Sequence, residues 1–385
     1  MKKKKILFLT GIRSDFYIQK PIIKAVNSSK KLKSYLVVSG AHLSKQFGFT
    51  YKEIVREKFN IVGKINNLEL SDKYSSRLKS ASKQLAGLTK IVNKVKPDII
   101  IAPYDREESI TSALTGAYLN IPVAHLGAGD RTRVNVDGVI RHSVSKLSNI
   151  FLCFTKENAR RIIKMGEEKW RVFNVGHTAF DRYKNINKIS DKNLSKYLNL
   201  DITIEPLILV VQHPVSNWKN KTADHFKITL SAVDELNYPT IVIRSNSDPG
   251  SVSMKSIFKK FKFTNKKIRY FENIPETIFS NIMLKTRVLL GNSSMGVLEA
   301  PFLKLPVVNV GLRQKDRQNA GNIIFVPHKK KKIIKAVQKC LINKKFIKKI
   351  KNLKNPYKGD AANKIVKILS NIKINTKLKN KIITY

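Results

Sequence analysis

Charged side chains crowd the segment that follows the apolar run at residues 121–126. This segment, residues 127–148, reads GAGDRTRVNVDGVIRHSVSKLS. Asp130, Asp137 and Arg141 are its candidates for chemistry, because carboxylates transfer protons and an arginine binds anions. If the apolar run is a strand of an open α/β sheet, the segment lies beyond the carboxyl end of the strand, where ligands bind in such folds.

Two more predicted strands of the first half end in polar groups. The strand near the start is followed by TGIRSD, a glycine turn that presents Arg13. The strand at residues 99–102 is followed by Asp105 and Arg106 at its tip. Glu107 and Glu108 are explained as acids in the first turn of a helix, where they favour the helix dipole.

The second half ends its predicted strands in hydroxyl, imidazole and cationic groups. His213 follows the run Val210-Val211-Gln212 and is a candidate acid/base or phosphate contact. The stretch LGNSSMGVLEA places Ser293 and Ser294 at a helix start, where hydroxyls and amides bind phosphate, and Glu299 one turn further on. Arg313 adds a cation to the same rim.

Short apolar runs alternate with segments of helical periodicity along the whole chain, which is the pattern of a doubly wound parallel sheet. The predicted helices include 18–27, 75–95, 109–119 and one that ends at 164. The predicted strands are KILFLTG, SYLVVSG, 99–101, 121–126, 150–155, 172–175, 206–213, 240–244, 287–294 and 305–311.

A chain of 385 residues exceeds the size at which a single core stops growing, so two domains are expected. We predict an α/β protein with two Rossmann-like domains that face each other across a cleft. The expected parts are a first domain at 1–182, a polar linker region at 183–205, a second domain at 206–355, and a closing helix with a basic tail at 356–385.

The formal net charge of +47 raises the question of nucleic-acid binding. The excess is almost all lysine and is densest at residues 328–381, where apolar residues still recur at helical spacing. This is typical of amphipathic helices with lysine-coated outer faces. Because an RNP-like aromatic set and metal-finger spacing are both missing from the sequence, we do not expect nucleic acid as a partner.

The cysteines and the apolar runs indicate a cytoplasmic protein that does not insert into a membrane. The two cysteines cannot form a disulfide framework, and Cys153 lies in an apolar run typical of a core residue. No run approaches the roughly 18 apolar residues that span a bilayer. The apolar part of the start, Ile6 to Leu9, is too short for a signal peptide.

The polar strand ends of the two halves differ in kind. Hydroxyl and cationic groups in the second half suit a nucleotide diphosphate, whereas the first half offers carboxylates beside arginines. This asymmetry favours a nucleotide-sugar as the ligand.

Ordered motifs along nearly the whole chain resemble those of the hydrolysing UDP-N-acetylglucosamine 2-epimerase family, which has a GT-B-type fold. The matching stretches are LTGIRSDF, SGAHLSKQFG, YDREES, HLGAGD, DGVIRHSVSKLS, VGHTAFD, QHPVSN, RSNSDPGS, GNSSMGVLEAP, PVVNVGLRQKDR and NPYKGDAANKI.

The resemblance implies a two-step reaction that needs neither a nicotinamide nor a metal. UDP is eliminated from UDP-GlcNAc to give a 2-acetamidoglucal, and water then adds to give free ManNAc, a precursor of sialic-acid-like surface glycans. The resemblance also implies a homodimer.

The resemblance assigns roles by motif position. Asp105 and Asp130 would be the sugar-side carboxylates, His213 would assist the leaving diphosphate, and Asp137 and Arg141 would lie on the catalytic rim. The remaining contacts would be Arg13, Asn246 and Phe271 to the uridine part, Ser293 and Ser294 to the phosphates, Glu299 to the ribose, and Arg106 and Arg313 to further anionic groups.

The chain departs from the family pattern at two positions. Asp130 stands where many members have Glu, and Gly138 stands where a second acid is typical. The alternatives are the same chemistry on a GDP-linked or 2,4-diacetamido-trideoxy sugar nucleotide, a GT-B glycosyltransferase, and a catalytically weakened UDP-sugar-binding homologue.

Overall fold

A computed structural model describes residues 2–69, 71, 73–132, 136–184 and 186–385. Its strands are β1 (Lys4–Thr10), β2 (Leu32–Ser39), β3 (Ile61–Ile65), β4 (Ile99–Pro103), β5 (Val123–Leu126), β6 (Ile150–Cys153), β7 (Val172–Asn174), β8 (Leu207–Val211), β9 (Thr240–Ile243), β10 (Ile268–Phe271), β11 (Thr286–Gly291), β12 (Val307–Val310) and β13 (Ile323–Val326). Its helices are α1 (Arg13–Ser28), α2 (Tyr51–Arg56), α3 (Tyr74–Val95), α4 (Glu107–Tyr118), α5 (Val136–Leu147), α6 (Lys156–Lys164), α7 (Ala179–Lys184), α8 (Asp191–Leu198), α9 (Thr222–Leu236), α10 (Ser251–Lys260), α11 (Glu276–Lys285), α12 (Met295–Leu298), α13 (Lys330–Ile342), α14 (Lys344–Lys351), α15 (Ala361–Asn371) and α16 (Thr376–Lys379).

The chain divides into two compact units, each built on one parallel sheet. The first unit contains Met1–Arg131, Val136–Arg182 and Tyr357–Tyr385, and the second is built from Tyr183–Pro356. Within the described residues, the strand order is β3-β2-β1-β4-β5-β6-β7 in the first sheet and β10-β9-β8-β11-β12-β13 in the second. The α/β class and the two parallel sheets expected from the sequence are confirmed.

The central strands are continuous apolar runs because helices cover both faces of each sheet. Along β8 the side chains alternate between two cores: Leu207, Leu209 and Val211 face one cluster, whereas Ile208 and Val210 face another. This period of two is the geometry of an extended strand. The sheet therefore separates two cores that both stabilise it.

The segment predicted as a linker packs into the core of the second unit. Ser190 begins α8 by accepting a hydrogen bond from the amide of Asn193, at 3.3 Å. Leu194 and Leu198 from α8, together with Leu200 and Ile202, are buried in the same cluster as Leu209. The polar residues of this segment cover the outer face of a docked helix.

The strands that the sequence did not reveal all lie at the edges of the sheets. β3, β10 and β13 end their sheets in the strand order, and most of their residues are only half-buried. Edge strands mix polar and apolar residues because one side is exposed, so their pattern is weaker than that of interior strands. Helix α1 also begins earlier than predicted, at Arg13 instead of Ile18.

The C-terminal segment docks on the first unit through two buried or half-buried cations. Lys4 Nζ donates to the carbonyls of Leu369, Ser370 and Ile372 at 3.1, 2.8 and 2.6 Å, which caps the end of α15. The fully buried Arg171 donates to carbonyls of Lys377, Leu378 and Asn380 around α16, at 2.7 to 3.0 Å.

Cys153 and Cys340 are both buried and free, as expected for Cys153 from its apolar run. Burial raises the pKa of both thiols, which makes them poor nucleophiles. Among the helices of the described residues, none combines the length and apolar character needed to cross a bilayer.

We predict that Arg171→Ala lowers the free energy of unfolding of the first unit by about 3 kcal/mol. The substitution removes the hydrogen-bond donor of several buried carbonyls and the ionic partner of the Glu168 carboxylate, which lies 2.6 Å from Arg171 Nε. Trp170, whose ring centroid lies 4.2 Å from the Arg171 guanidinium carbon, can report urea unfolding in a Trp218→Phe background. The exposed Arg160→Ala is the control and should change stability by less than about 0.5 kcal/mol. Equal losses in the two variants would contradict the role of Arg171.

Candidate functional site

Asp105 and Asp130 meet at one buried guanidinium in the first unit. Asp105 follows β4, Asp130 follows the neighbouring strand β5, and Arg141 lies on α5. Arg141 Nη2 pairs with Asp105, and Arg141 Nη1 lies 3.3 Å from Asp130 Oδ2 and 3.2 Å from the carbonyl of Gly127. Burial opposes the charge of Arg141, but the two aspartates outweigh it and raise the pKa of the guanidinium.

The backbone that presents Asp105 is held by a histidine that sequence reasoning missed. Tyr104 has a φ of 63°, in the left-handed region that non-glycine residues rarely adopt. His125 Nε2 lies 2.8 Å from the Tyr104 carbonyl, and Ser109 Oγ donates to the same carbonyl at 3.2 Å. Burial lowers the pKa of His125 to about 3, so its imidazole is neutral and donates through Nε2.

The carboxylate of Asp130 sits in a loop that is fixed from α6. The carbonyl of Gly129 accepts hydrogen bonds from Arg161 and from Asn158 Nδ2, the latter at 3.2 Å. Asp130 is 1% exposed, and its Oδ1 accepts from the amide of Arg131 at 2.8 Å. Residues 133–135 of the charged segment 127–148 lie outside the described residues.

Asp137 belongs to a second ionic group, organised by Arg77 of α3. Arg77 Nη2 lies 3.7 Å from Asp137 Oδ1, and Arg77 Nε pairs with Glu107 at the start of α4. Burial works against ionisation of Glu107, but Arg106 and Arg77 outweigh it and hold the pKa of this carboxyl below its usual range. Arg77 therefore holds Asp137 and Glu107 together.

Glu108 does more than complement the helix dipole of α4. It is buried, and a Cβ at position 11 would lie 1.7 Å from Glu108 Oε1, so a residue larger than glycine there would force the Glu108 carboxyl to move. Burial is the largest cause that raises the pKa of Glu108 to about 7, and the carboxylates of Glu107 and Asp15 add to it. Arg106 opposes the rise, with its Nε 3.8 Å from Glu108 Oε2.

Asn292 joins three strand ends of the second unit and was also missed from the sequence. Its Oδ1 accepts from the amide of His213 at 2.7 Å, and its Nδ2 donates to the His213 carbonyl at 2.8 Å. Its own carbonyl accepts from Arg313 at 3.1 Å and from Gln314 at 3.0 Å. Gly291 makes this approach feasible, because a Cβ there would lie 2.2 Å from the carbonyl oxygen of Val211.

The imidazole of His213 is oriented by the strand end after β9. The amide of Asn246 donates to His213 Nδ1 at 3.3 Å, which places the proton of a neutral imidazole on Nε2. The side chain of Asn246 donates to Asp248 Oδ2 at 2.6 Å. Asn246 thus contacts His213 through its backbone and Asp248 through its amide group.

The remaining predicted nucleotide contacts also lie in the second unit. Ser293 and Ser294 precede α12, which is only four residues long, so the helix expected there is a single turn. Glu299 Oε2 accepts from the hydroxyl of Tyr183 at 2.9 Å. The ring of Phe271 is nearly parallel to that of Tyr197, with 6.4 Å between their centroids.

The structure thus divides the predicted site residues into two sets. The first unit contains Arg13 at the start of α1, Arg106 before α4, and the acids and Arg141 described above. The second unit contains His213, Asn246, Phe271, Ser293, Ser294, Glu299 and Arg313.

The chemistry of these groups is proton transfer and anion binding. Carboxylates beside a permanent cation suit proton transfer near developing charge, and a neutral imidazole can donate to an anionic leaving group. Among the described residues, no group of three or more His, Cys, Asp or Glu side chains has the arrangement of a metal site.

Comparisons with known proteins show the family by sequence and the fold by structure. Residues 24–370 match the family described as UDP-N-acetylglucosamine 2-epimerase. A GDP/UDP-N,N'-diacetylbacillosamine 2-epimerase (hydrolyzing) of Campylobacter jejuni is 33% identical, over 84% of this chain and 84% of the relative. A UDP-N,N'-diacetylbacillosamine 2-epimerase (hydrolyzing) of Legionella pneumophila is 28% identical, over 99% and 100%. The fold is shared with the crystal structure of the Methanocaldococcus jannaschii UDP-GlcNAc 2-epimerase in complex with UDP-GlcNAc and UDP. The TM-score is 0.78 at 23% sequence identity, and the match covers 95% of this chain and 99% of that one.

We predict that Glu108→Gln flattens the pH dependence of stability. Because the folded state raises the pKa of Glu108 to about 7, the stabilisation from its protonated form is fully present below the usual pKa and is lost as the pH rises through 7. Glutamine mimics the protonated acid, so the variant should gain stability relative to the wild type between about pH 5 and pH 8, by up to a few kcal/mol.

Denaturant unfolding across this pH range measures the gain. Asp224→Asn, an exposed acid in the first turn of α9, is the control for loss of an acid near a helix start. A parallel pH profile for Glu108→Gln and the wild type would refute the proposed protonation.

Proposed function

Because the chain belongs to the UDP-N-acetylglucosamine 2-epimerase family, we propose that it is a hydrolysing 2-epimerase of a UDP-linked 2-acetamido sugar. The observation that carries the proposal is the arrangement of Asp105 and Asp130 on the guanidinium of Arg141. The product would be UDP and the free 2-epimeric sugar, a precursor of sialic-acid-like surface glycans.

The reaction needs elimination followed by hydration. The bond between C1 and the diphosphate oxygen breaks with its electrons going to UDP, and the proton on C2 is removed, which leaves a 2-acetamidoglucal. Water then adds its hydroxyl to C1 and a proton returns to C2 from the opposite face. The C2 proton is poorly acidic because no carbonyl adjoins it, so positive charge must build at C1 before a carboxylate can take the proton.

Asp105 and Asp130 are assigned to the proton transfers at the sugar. Both are anchored from different strands to the same cation, which fixes their separation and direction. Arg141 is itself held by the Gly127 carbonyl, so the pair is positioned before substrate binds. Such preorganisation lowers the cost of reaching the transition state.

Asp137 is assigned to the catalytic rim beside Gly138, a residue that cannot transfer a proton. The Asp137 carboxylate lies near Arg77 and is 3% exposed, so its negative charge is compensated in the buried environment. Because Gly138 stands where a second acid is typical of the family, a catalytically weakened UDP-sugar-binding homologue is the alternative.

The second unit is assigned to the nucleotide. His213 would donate from Nε2 to the leaving diphosphate, since its Nδ1 already accepts from Asn246. Ser293, Ser294 and Arg313 would bind phosphate oxygens, with Arg313 aligned by Asn292. The remaining assignments are Glu299 to the ribose, Asn246, Phe271 and Arg13 to the uridine part, and Arg106 to a further anionic group.

Two sugars are the leading candidates for the substrate. UDP-GlcNAc is the ligand of the M. jannaschii structure. UDP-N,N'-diacetylbacillosamine is favoured by the relatives of C. jejuni and L. pneumophila, which act on it according to their names. The name of the C. jejuni relative includes a GDP-linked form, which adds a third candidate.

We predict that proton NMR in D2O, with the candidate sugar nucleotides tested one at a time and no added cofactor, shows for the substrate a free 2-epimer with deuterium at C2 and the matching nucleoside diphosphate. Asp130→Asn should lower the rate at least about 100-fold, the usual weight of a general acid–base group, while UDP still binds. Asp201→Asn, on the exposed surface, is the control and should turn over at the wild-type rate.

Other outcomes of this experiment would sink the proposal. UDP binding without turnover of any of the three nucleotides would identify a binding homologue. Release of UDP only when a sugar acceptor is added, with configuration at C2 retained, would identify a glycosyltransferase.

We predict that Asn292→Ala weakens UDP binding at least about ten-fold, because the ends of β8 and β11 lose the side chain that joins them. Asn265→Ala is the matched control: this asparagine is also buried in the second unit, but it bonds Tyr238 and Lys267 at the opposite ends of β9 and β10. Calorimetry with UDP measures both. Equal affinities in the two variants would contradict a nucleotide site at the Asn292 strand ends.

A further inference from the structure

Helices α13 and α14 and their flanks carry a dense set of exposed lysines. Residues 329–354 contain twelve lysines and no aspartate, glutamate or arginine. All twelve side chains are exposed. We call them the lysine face: Lys329, Lys330, Lys331, Lys332, Lys335, Lys339, Lys344, Lys345, Lys348, Lys349, Lys351 and Lys354.

The lysine face is carried by helices that are firmly packed on the second unit. Ile333, Val337 and Cys340 of α13 are buried in the core beside β8 and β12. Asn343 accepts from the amide of Phe346 at 2.8 Å and begins α14, which buries Ile350. The lysines therefore keep a fixed arrangement on the outer side of a structured element and do not form a disordered tail.

The charge of this face is almost uncompensated within the chain. Of its lysines, and within the described part of the structure, Lys330 alone forms an ion pair, at 2.5 Å from Glu235. Lys339 covers the ring of Phe346, at 5.9 Å from its centroid. So many like charges on one face repel each other, and an external anionic surface would relieve the repulsion.

We propose that the lysine face binds the surface of an anionic lipid bilayer. Lys332, Lys335 and Lys339 line a shallow groove together with Ile342, which is 73% exposed. Lysine ammonium groups attract anionic headgroups, and a protruding aliphatic side chain enters the interface between headgroups and acyl chains. The contact is peripheral and involves no membrane-spanning segment.

The same observations favour a bilayer over a nucleic acid. Arginine, which binds phosphate in a bidentate manner, is missing from residues 329–354. The aromatic residue of this stretch, Phe346, is half-buried and covered by Lys339, so it offers no stacking platform for a base. The exposed apolar group of the lysine face, among the described residues, is the aliphatic Ile342.

Vesicle co-sedimentation of the full chain tests the proposal. The vesicles are phosphatidylcholine alone or mixed equally with phosphatidylglycerol, at physiological ionic strength. The variant combines Lys332→Gln, Lys335→Gln, Lys339→Gln and Lys345→Gln. The control combines Lys30→Gln, Lys79→Gln, Lys90→Gln and Lys94→Gln, which are exposed in the first unit and lower the net charge equally.

The wild type should sediment with the anionic vesicles and not with the neutral ones. The lysine-face variant should lose more than about ten-fold in partitioning, and the control less than about two-fold. Ile342→Ser should weaken binding with no change in net charge.

Three results would overturn the proposal. One is equal loss in the two quadruple variants, which would mean that net charge alone drives binding. The second is no sedimentation of the wild type with anionic vesicles. The third is that duplex DNA, added as a competitor, binds the protein in preference to the vesicles, and that this DNA binding is lost in the lysine-face variant.

Discussion

In a parallel sheet every strand runs in the same direction, so the carboxyl ends of all strands lie at the same end of the sheet. Each unit of this protein builds its candidate chemistry at that end. Asp105 and Asp130 follow adjacent strands of the first sheet, and His213, Asn292 and Arg313 follow adjacent strands of the second. The polar groups that gather there must be satisfied by one another, because the strands behind them are buried. Arg141 in the first unit and Asn292 in the second perform this function.

The first unit meets this constraint at high electrostatic cost. Five of the chain's 27 acidic residues lie beside three arginines at this end of the sheet. The acids are Asp105, Glu107, Glu108, Asp130 and Asp137, and the arginines are Arg77, Arg106 and Arg141. Since burial disfavours a charged carboxylate, burial is the main reason that the pKa of Glu108 is raised, and the neighbouring carboxylates of Glu107 and Asp15 add to it. Burial also keeps the imidazole of His125 neutral, and its remaining N–H donates to the backbone carbonyl just before Asp105.

Positive and negative charges occupy different regions of the protein: lysines cover the exterior, and a group of acids is buried in the first unit. Lysine dominates the exterior, and its highest density lies on α13 and α14 of the second unit, far along the chain from the acidic cluster. Acids are scarce in the sequence, so their concentration in one buried group is informative about function. A net charge of +47 therefore does not describe the first-unit cluster, where carboxylates and arginines pair.

The sequence by itself determined the α/β class, the interior strands and most of the residues at the strand ends. It could do so because strands covered on both faces are continuous apolar runs, and because polar motifs directly after such runs must lie at the carboxyl end of the sheet, where ligands bind. The edge strands β3, β10 and β13 escaped, since half-exposed strands lack that pattern. Only the tertiary structure decided the pairing partners: that Arg141 joins Asp105 to Asp130, that Arg77 joins Glu107 to Asp137, and that Asn292 joins three strand ends. These partners come from segments distant in sequence, and an arginine, a histidine or an asparagine in a helix or a turn shows no local sign of the group that it will contact.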